Sequence, residues 1–195
     1  MRRKAGIVCI VLGAALIISA LFFLISNTAE DAAAGKSAQT VLEQIERKLT
    51  QSEAQEDATE QSYEMKVVEI DGYGYIGYLT IPSLELELPV MDDWDYGRLK
   101  IAPCRQFGST KSDDIVIAGH NYSRHFGNLQ KLKAGDEVIF TDMEGAVNIY
   151  EVATVDILPP TAVEEVKNGG YDLTLYTCTY GGRERVAVRC MRAQN

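Results

Sequence analysis

The chain has 195 residues, 46% apolar and 24% charged, with sixteen glycines and five prolines. That composition suits one full-sized globular core and excludes a disordered tail, a collagen-like repeat and a disulfide-dense miniprotein. Four cysteines without a Cys-x-x-Cys pair and only two histidines offer no zinc framework, and a net charge of −9 excludes nucleic acid as a partner.

The charge is unevenly placed. Arg2, Arg3 and Lys4 contribute +3 and the first 26 residues hold no acid, so the rest of the chain carries −12. Residues 5–25 form an uncharged run of 21, AGIVCIVLGAALIISALFFLI, long enough for a helix to cross the hydrocarbon core. The basic residues before it favour a cytoplasmic N-terminus and an exported remainder. A cleaved signal peptide is the alternative, with Ala32–Ala34 as a small-residue cleavage site. The run exceeds the usual apolar region of about 7–15 residues, which favours an uncleaved anchor. Cys9 lies within the run as a small apolar residue.

From residue 27 to 62 the composition turns polar, with eight acids against three bases. Thr40-x-x-Glu43 has the form of a capping box, Val41, Ile45 and Leu49 recur at helical spacing, and Glu43 stands four residues before Arg47. These features predict a short helix in a spacer. Whether it packs on the following domain or on a second copy is left open. The organisation expected is therefore an anchor at residues 1–26, a polar, partly helical stalk at 27–62, and an extracytoplasmic domain at 63–195.

That domain reads as strands. Leu84, Leu86 and Leu88 alternate with Glu85 and Glu87, and YIGYLTI, DIVIAG, EVIF and VNIYEVATV carry the same signal. DLTLYTC, ending at Cys178, and RVAVRCM, from Arg185, close the chain. Short helices are expected within 95–101 and 161–167. About eight short strands separated by turn residues predict a mostly β fold, one barrel or sandwich.

Two stretches hold the chemistry. Strand parity puts Leu173, Leu175 and Thr177 on the core face and Thr174, Tyr176 and Cys178 on the outer one. In the last strand Val186, Val188 and Cys190 face inward, with Arg185, Ala187 and Arg189 outward. A two-residue turn at Gly181-Gly182 would set Tyr180 opposite Arg183 and Cys178 opposite Arg185. The second stretch is Ile117-Ala118-Gly119-His120, an apolar strand ending in Gly-His. A nucleophilic cysteine needs a base or acid nearby, and His120 and His125 are the two histidines of the chain. Cys104 and Cys190 are expected as reduced thiols, one in a loop and one in the core. A disulfide between them is the alternative.

Residues 76–192 resemble the sortases, the membrane-anchored cysteine transpeptidases of Gram-positive bacteria. The resemblance rests on IGYLTIPSLELELPV, DIVIAGHNYSRHFGNLQKLKAGDEV, the TLYTC stretch at Thr174–Cys178, and an arginine opening the final strand. It implies an eight-stranded sortase-type β-barrel preceded by a transmembrane helix. Cys178 would be the nucleophile, His120 the general acid/base, and Arg185 the group that holds substrate and stabilises the oxyanion. Thr177 would help line the substrate site. The connection between Cys178 and Arg185 is shorter than sortases generally have, which leaves Arg183 as a rival; the pattern is B-like or D-like.

The resemblance also implies two substrates: a surface protein bearing a C-terminal Leu-Pro-x-Thr-Gly-like sorting motif, and a peptidoglycan-precursor or pilin amine. It implies a single-pass protein of the cell membrane with its catalytic domain outside, and neither metal nor cofactor. Two other classes stay in view. A secreted cysteine peptidase of papain-like or cell-wall-hydrolase type places its cysteine before its histidine, the reverse of the order here. A non-catalytic anchored receptor or assembly protein would leave Cys178 inert towards thiol reagents.

Overall fold

A computed structural model describes residues 2–52 and 64–193. Helix α1 (Arg2–Ser52) contributes to two compact units, which divide after Ala33. In the first unit the side chains of Ile10, Leu16, Phe22 and Phe23 are exposed. Among the described residues α1 is the one helix long and apolar enough to cross a membrane.

In the second unit Ala34, Ala38, Val41, Leu42 and Ile45 are buried at spacings of three and four, the face of a helix that packs on its own domain. Of the alternatives left open by the sequence, packing on the domain is the one observed. Thr40 does not cap this helix. It lies within it, and its Oγ1 donates to the Lys36 carbonyl at 3.1 Å. The alanines before it favour helix, and Ala34 and Ala38 are buried, so the helix is already running when it reaches the capping-box signature.

Among the described residues of the domain there are nine strands. They are β1 (Val68–Ile70), β2 (Tyr73–Ile81), β3 (Leu86–Met91), β4 (Cys104–Phe107), β5 (Ile115–Ala118), β6 (Glu137–Asp142), β7 (Val147–Leu158), β8 (Leu173–Cys178) and β9 (Arg185–Arg192). The sheet order is β1-β2-β3-β4-β5-β8-β9-β7-β6, and pairing of β2 with β6 closes β2 to β9 into an eight-stranded barrel. The short β1 lies outside the closure, paired with β2. Leu84 belongs to a 3-10 turn, Pro82–Leu84, so the predicted leucine alternation begins as a strand only at Leu86. A 3-10 turn at Arg98–Lys100 and helix α2 (Val163–Lys167) fall within the two segments expected to be helical.

Alternation along the strands builds two apolar layers. Ile76, Leu79, Val90, Ile115, Ile117, Phe140, Leu173, Leu175, Val186 and Val188 fill the barrel. Tyr75, Met91, Cys104 and Ala118 belong to a second cluster, completed by Val41 and Ile45 of α1. Cys104 is therefore a buried strand residue and not the loop thiol expected. Cys104, Cys178 and Cys190 are all free thiols.

Candidate active site

Strands β5 and β8 lie side by side in parallel, with Ala118 paired to Tyr176 as their last partners. Two residues further along each chain come His120 and Cys178. The junction is tied beyond the ladder. The Gly119 amide donates to the Tyr176 carbonyl at 3.0 Å, and Thr177 Oγ1 donates to the Gly119 carbonyl at 2.9 Å. Gly119 has no room for a side chain, because a Cβ there would lie 2.3 Å from the Phe126 ring. That close approach lets the loop after β5 fold back, with the Phe126 amide donating to the His120 carbonyl at 3.1 Å.

His120 is half-buried, and its ring stacks on that of Tyr122 with centroids 3.8 Å apart and planes 15° apart. Tyr122 in turn meets His125 edge to face at 5.6 Å. His125 is fully buried.

Across the other edge of β8, Cys178 stands directly opposite Arg185 of β9. The predicted register is observed but the predicted turn is not. The Gly182 amide donates to the Thr179 carbonyl at 2.8 Å and the Thr179 amide to the Glu184 carbonyl at 3.0 Å, leaving Tyr180–Arg183 as a four-residue loop. Gly181 (φ 87°) and Gly182 (φ 72°) supply the left-handed conformations it needs. Tyr180 and Arg183 are thus exposed loop residues rather than a facing pair. Arg185 is half-buried, and its Nη1 donates to the carbonyls of Gly182 at 3.1 Å and Glu184 at 3.0 Å.

Cys178, Arg185 and Thr177 line one cleft of about 220 Å³. It is lined as well by Trp94, Tyr96 and Leu99, by Pro159, Pro160, Ala162, Val163 and Val166, and by Gln106, Ala118, Gly119 and Tyr176. Thr177 is 3% exposed, its hydroxyl engaged with Gly119. Tyr176 donates through its hydroxyl to Gln106 Oε1. Burial pushes the Tyr176 phenol up to about 12, against the opposing pull of the Arg185 charge, so it remains a neutral donor at physiological pH.

Sequence reasoning missed the cleft walls. The chain has one tryptophan, and it sits in the acidic run Asp92-Asp93-Trp94-Asp95, a signal that could have marked it. Arg98 gathers that loop, pairing with Asp92 at 3.3 Å, Asp93 at 3.8 Å and Asp95 at 3.2 Å. Trp94 and Tyr96 meet edge to face at 4.9 Å. Among the described residues no group of three or more His, Cys, Asp or Glu is placed to hold a metal ion.

A model of the sortase domain matches residues 79–193. Sortase A of Bacillus anthracis is 32% identical over 115 residues, a match covering 56% of this chain and 54% of that protein; the chain thus spans about half the length of this curated relative. Among solved structures, sortase C1 of Streptococcus suis is 28% identical with a TM-score of 0.54, covering 62% of this chain and 74% of that one. Sortase C1 of Streptococcus agalactiae is 26% identical with a TM-score of 0.57, covering 79% of this chain and 90% of that one.

Proposed function

The chain belongs to the sortase family, and we propose that it is a cysteine transpeptidase that cleaves a C-terminal sorting motif of surface proteins and passes the acyl group to an amine. The observation that carries this reading is the position of Cys178, directly opposite Arg185 at a cleft and two residues past the last pairing of β8 with the strand leading to His120.

The roles follow from chemistry. Cys178, as the thiolate, attacks the scissile carbonyl carbon. Arg185 donates to the oxyanion that develops. As the C–N bond breaks, the His120 imidazolium gives its proton to the departing amine, leaving a thioester on Cys178. An incoming amine loses its proton to His120 and attacks the thioester, the C–S bond breaks, and the thiolate returns. Thr177 contributes to the cleft and holds Gly119, the residue before His120. The largely apolar walls suit the leucine and proline of a Leu-Pro-x-Thr-Gly-like motif.

The acceptor in this reading is a peptidoglycan-precursor or pilin amine. Residues 1–26 form a single-pass anchor with its N-terminus in the cytoplasm, as Arg2, Arg3 and Lys4 favour. Residues 27–62 lead from it to the extracellular catalytic domain at 63–195. The test is incubation of the protein with a library of sorting-motif peptides and a primary amine, with products identified by mass. An amide joining peptide and amine supports transpeptidation. Failure to cleave any member contradicts it.

A further inference from the structure

Arg189 lies four residues after Arg185 on β9, on the outer face of the strand. Parity anticipates a solvated side chain there, yet Arg189 is 3% exposed. Helix α2 and its flanking segments cover it. Its Nη2 donates to the Glu165 carbonyl at 2.8 Å, and its Nη1 to the Val166 carbonyl and to Thr174 Oγ1, each at 3.2 Å. Its Nε faces the Asp156 carboxylate at 3.5 Å, and the guanidinium lies 5.5 Å over the Tyr171 ring. One side chain therefore joins α2 to β7, β8 and β9.

Helix α2 has five residues, too few to be stable alone. The carbonyls of its last turn lack helical partners, and a cation there also suits the helix dipole. Burying a guanidinium is costly, and an apolar residue would often serve stability as well. What the planar fork of donors supplies is fixed geometry. The segment it fixes gives Ala162, Val163 and Val166 to the cleft that also contains Cys178.

We propose that Arg189 is a positioning residue that holds α2 in place as a preset wall of the cleft, so that a peptide meets a formed surface rather than one that must close around it. This assignment rests on the peptide-transfer reading above. Arg189 acts through α2 and touches no reacting atom.

The test uses the full chain in detergent micelles with the variants Arg189→Gln, Arg189→Lys and Gly169→Ala. The last is a wedge from outside the barrel, since a Cβ at Gly169 would lie 2.9 Å from the Glu165 carbonyl oxygen and 3.2 Å from Arg189 Nη1. Turnover is followed with a quenched fluorescent peptide containing Leu-Pro-Glu-Thr-Gly. Hydrogen exchange is followed at the amides of Val166 and Asn168, which close α2 onto Ala162 and Glu164.

Arg189→Gln should raise KM about tenfold with kcat changed by less than about threefold, because loss of ground-state positioning appears in KM. Protection should fall in α2 while the β8–β9 ladder keeps its own. Arg189→Lys should recover little, and Gly169→Ala should shift KM and α2 exchange in the same direction, which carries the test if Arg189→Gln fails to fold. Folded Arg189 variants with unchanged KM and unchanged α2 protection would overturn the assignment. So would a loss of kcat with protection falling across the whole barrel, the pattern of a scaffold residue. If the wild-type protein leaves this peptide intact, a peptide that it cleaves from the sorting-motif library replaces it; if it cleaves none, the transpeptidase reading fails, and α2 exchange alone decides whether Arg189 is the clamp.

Discussion

Thr177 Oγ1 donates a 2.9 Å hydrogen bond to the carbonyl of Gly119, so the residue before Cys178 holds the residue before His120. This side chain links the strand end bearing the thiol to the loop bearing the imidazole. Thr177→Val keeps the shape and removes the bond, at a cost of about 1 kcal/mol, or a fall of about 2–4 °C in Tm for a chain of this size. Turnover should fall by more than stability does, and Thr177→Ser should restore most of it. Thermal melts and steady-state rates on the two variants check this.

The facing pair Cys178 and Arg185 makes the arginine assignment specific. Arg185→Ala should lower turnover by about 10²–10³, the usual effect of removing one oxyanion donor. Arg185→Lys should rescue poorly, because it keeps the charge and loses the fork. Arg183 lies exposed in the loop, and Arg183→Ala should cost far less. Rates showing Arg183 essential and Arg185 replaceable would reverse the assignment.

The register behind that prediction was legible because a two-residue turn and a four-residue loop centred on Gly181-Gly182 give the same pairing of Cys178 with Arg185. Only the facing of Tyr180 and Arg183 was lost with the turn type. Strand β4 escaped notice because Cys-Arg-Gln-Phe carries no alternation, and its pairing with β5 is a tertiary fact. The docking face of α1 was undercounted because two of its contacts are alanines, Ala34 and Ala38, which composition does not mark as core. Parity correctly sent Arg189 outward but could not tell that α2 covers that side. The cleft walls come from loops far apart in the chain, where period says nothing.

The stacked pair His120 and Tyr122 predicts different outcomes for the two histidines. His120→Ala should abolish turnover with little loss of stability. His125 is fully buried, so His125→Ala should lower Tm while the folded fraction stays active. Tyr122→Leu removes the aromatic partner of His120, a contact worth about 0.5–1.5 kcal/mol, and should slow turnover by about two- to tenfold. Melting curves and kcat separate the two kinds of effect.

Burial also sets a pH dependence. Tyr75 and Tyr176 are pushed from 10.0 to about 12, and Cys104 and Cys190 from 9.0 to about 12, chiefly because their charged forms would be desolvated. Below about pH 8 these groups are essentially neutral in folded and unfolded chains alike, and their contribution is constant. Between 9 and 12 the unfolded chain releases protons that the folded one retains, so stability should fall with rising pH across that window. Tm measured from pH 7 to 11 checks the sign. Peptide mapping after native alkylation should find Cys178 modified while Cys104 and Cys190 are spared.

The central claim is that Cys178 carries the acyl group. Its most direct test is the mass of the intact protein after mixing with a sorting-motif peptide in the absence of an amine. The wild-type chain should gain the mass of the acyl fragment N-terminal to the scissile bond, lose it on addition of hydroxylamine, and yield a peptide map placing it on Cys178. Cys178→Ala should show neither adduct nor turnover. Turnover by Cys178→Ala, or an adduct mapped to Cys104 or Cys190, would contradict the account.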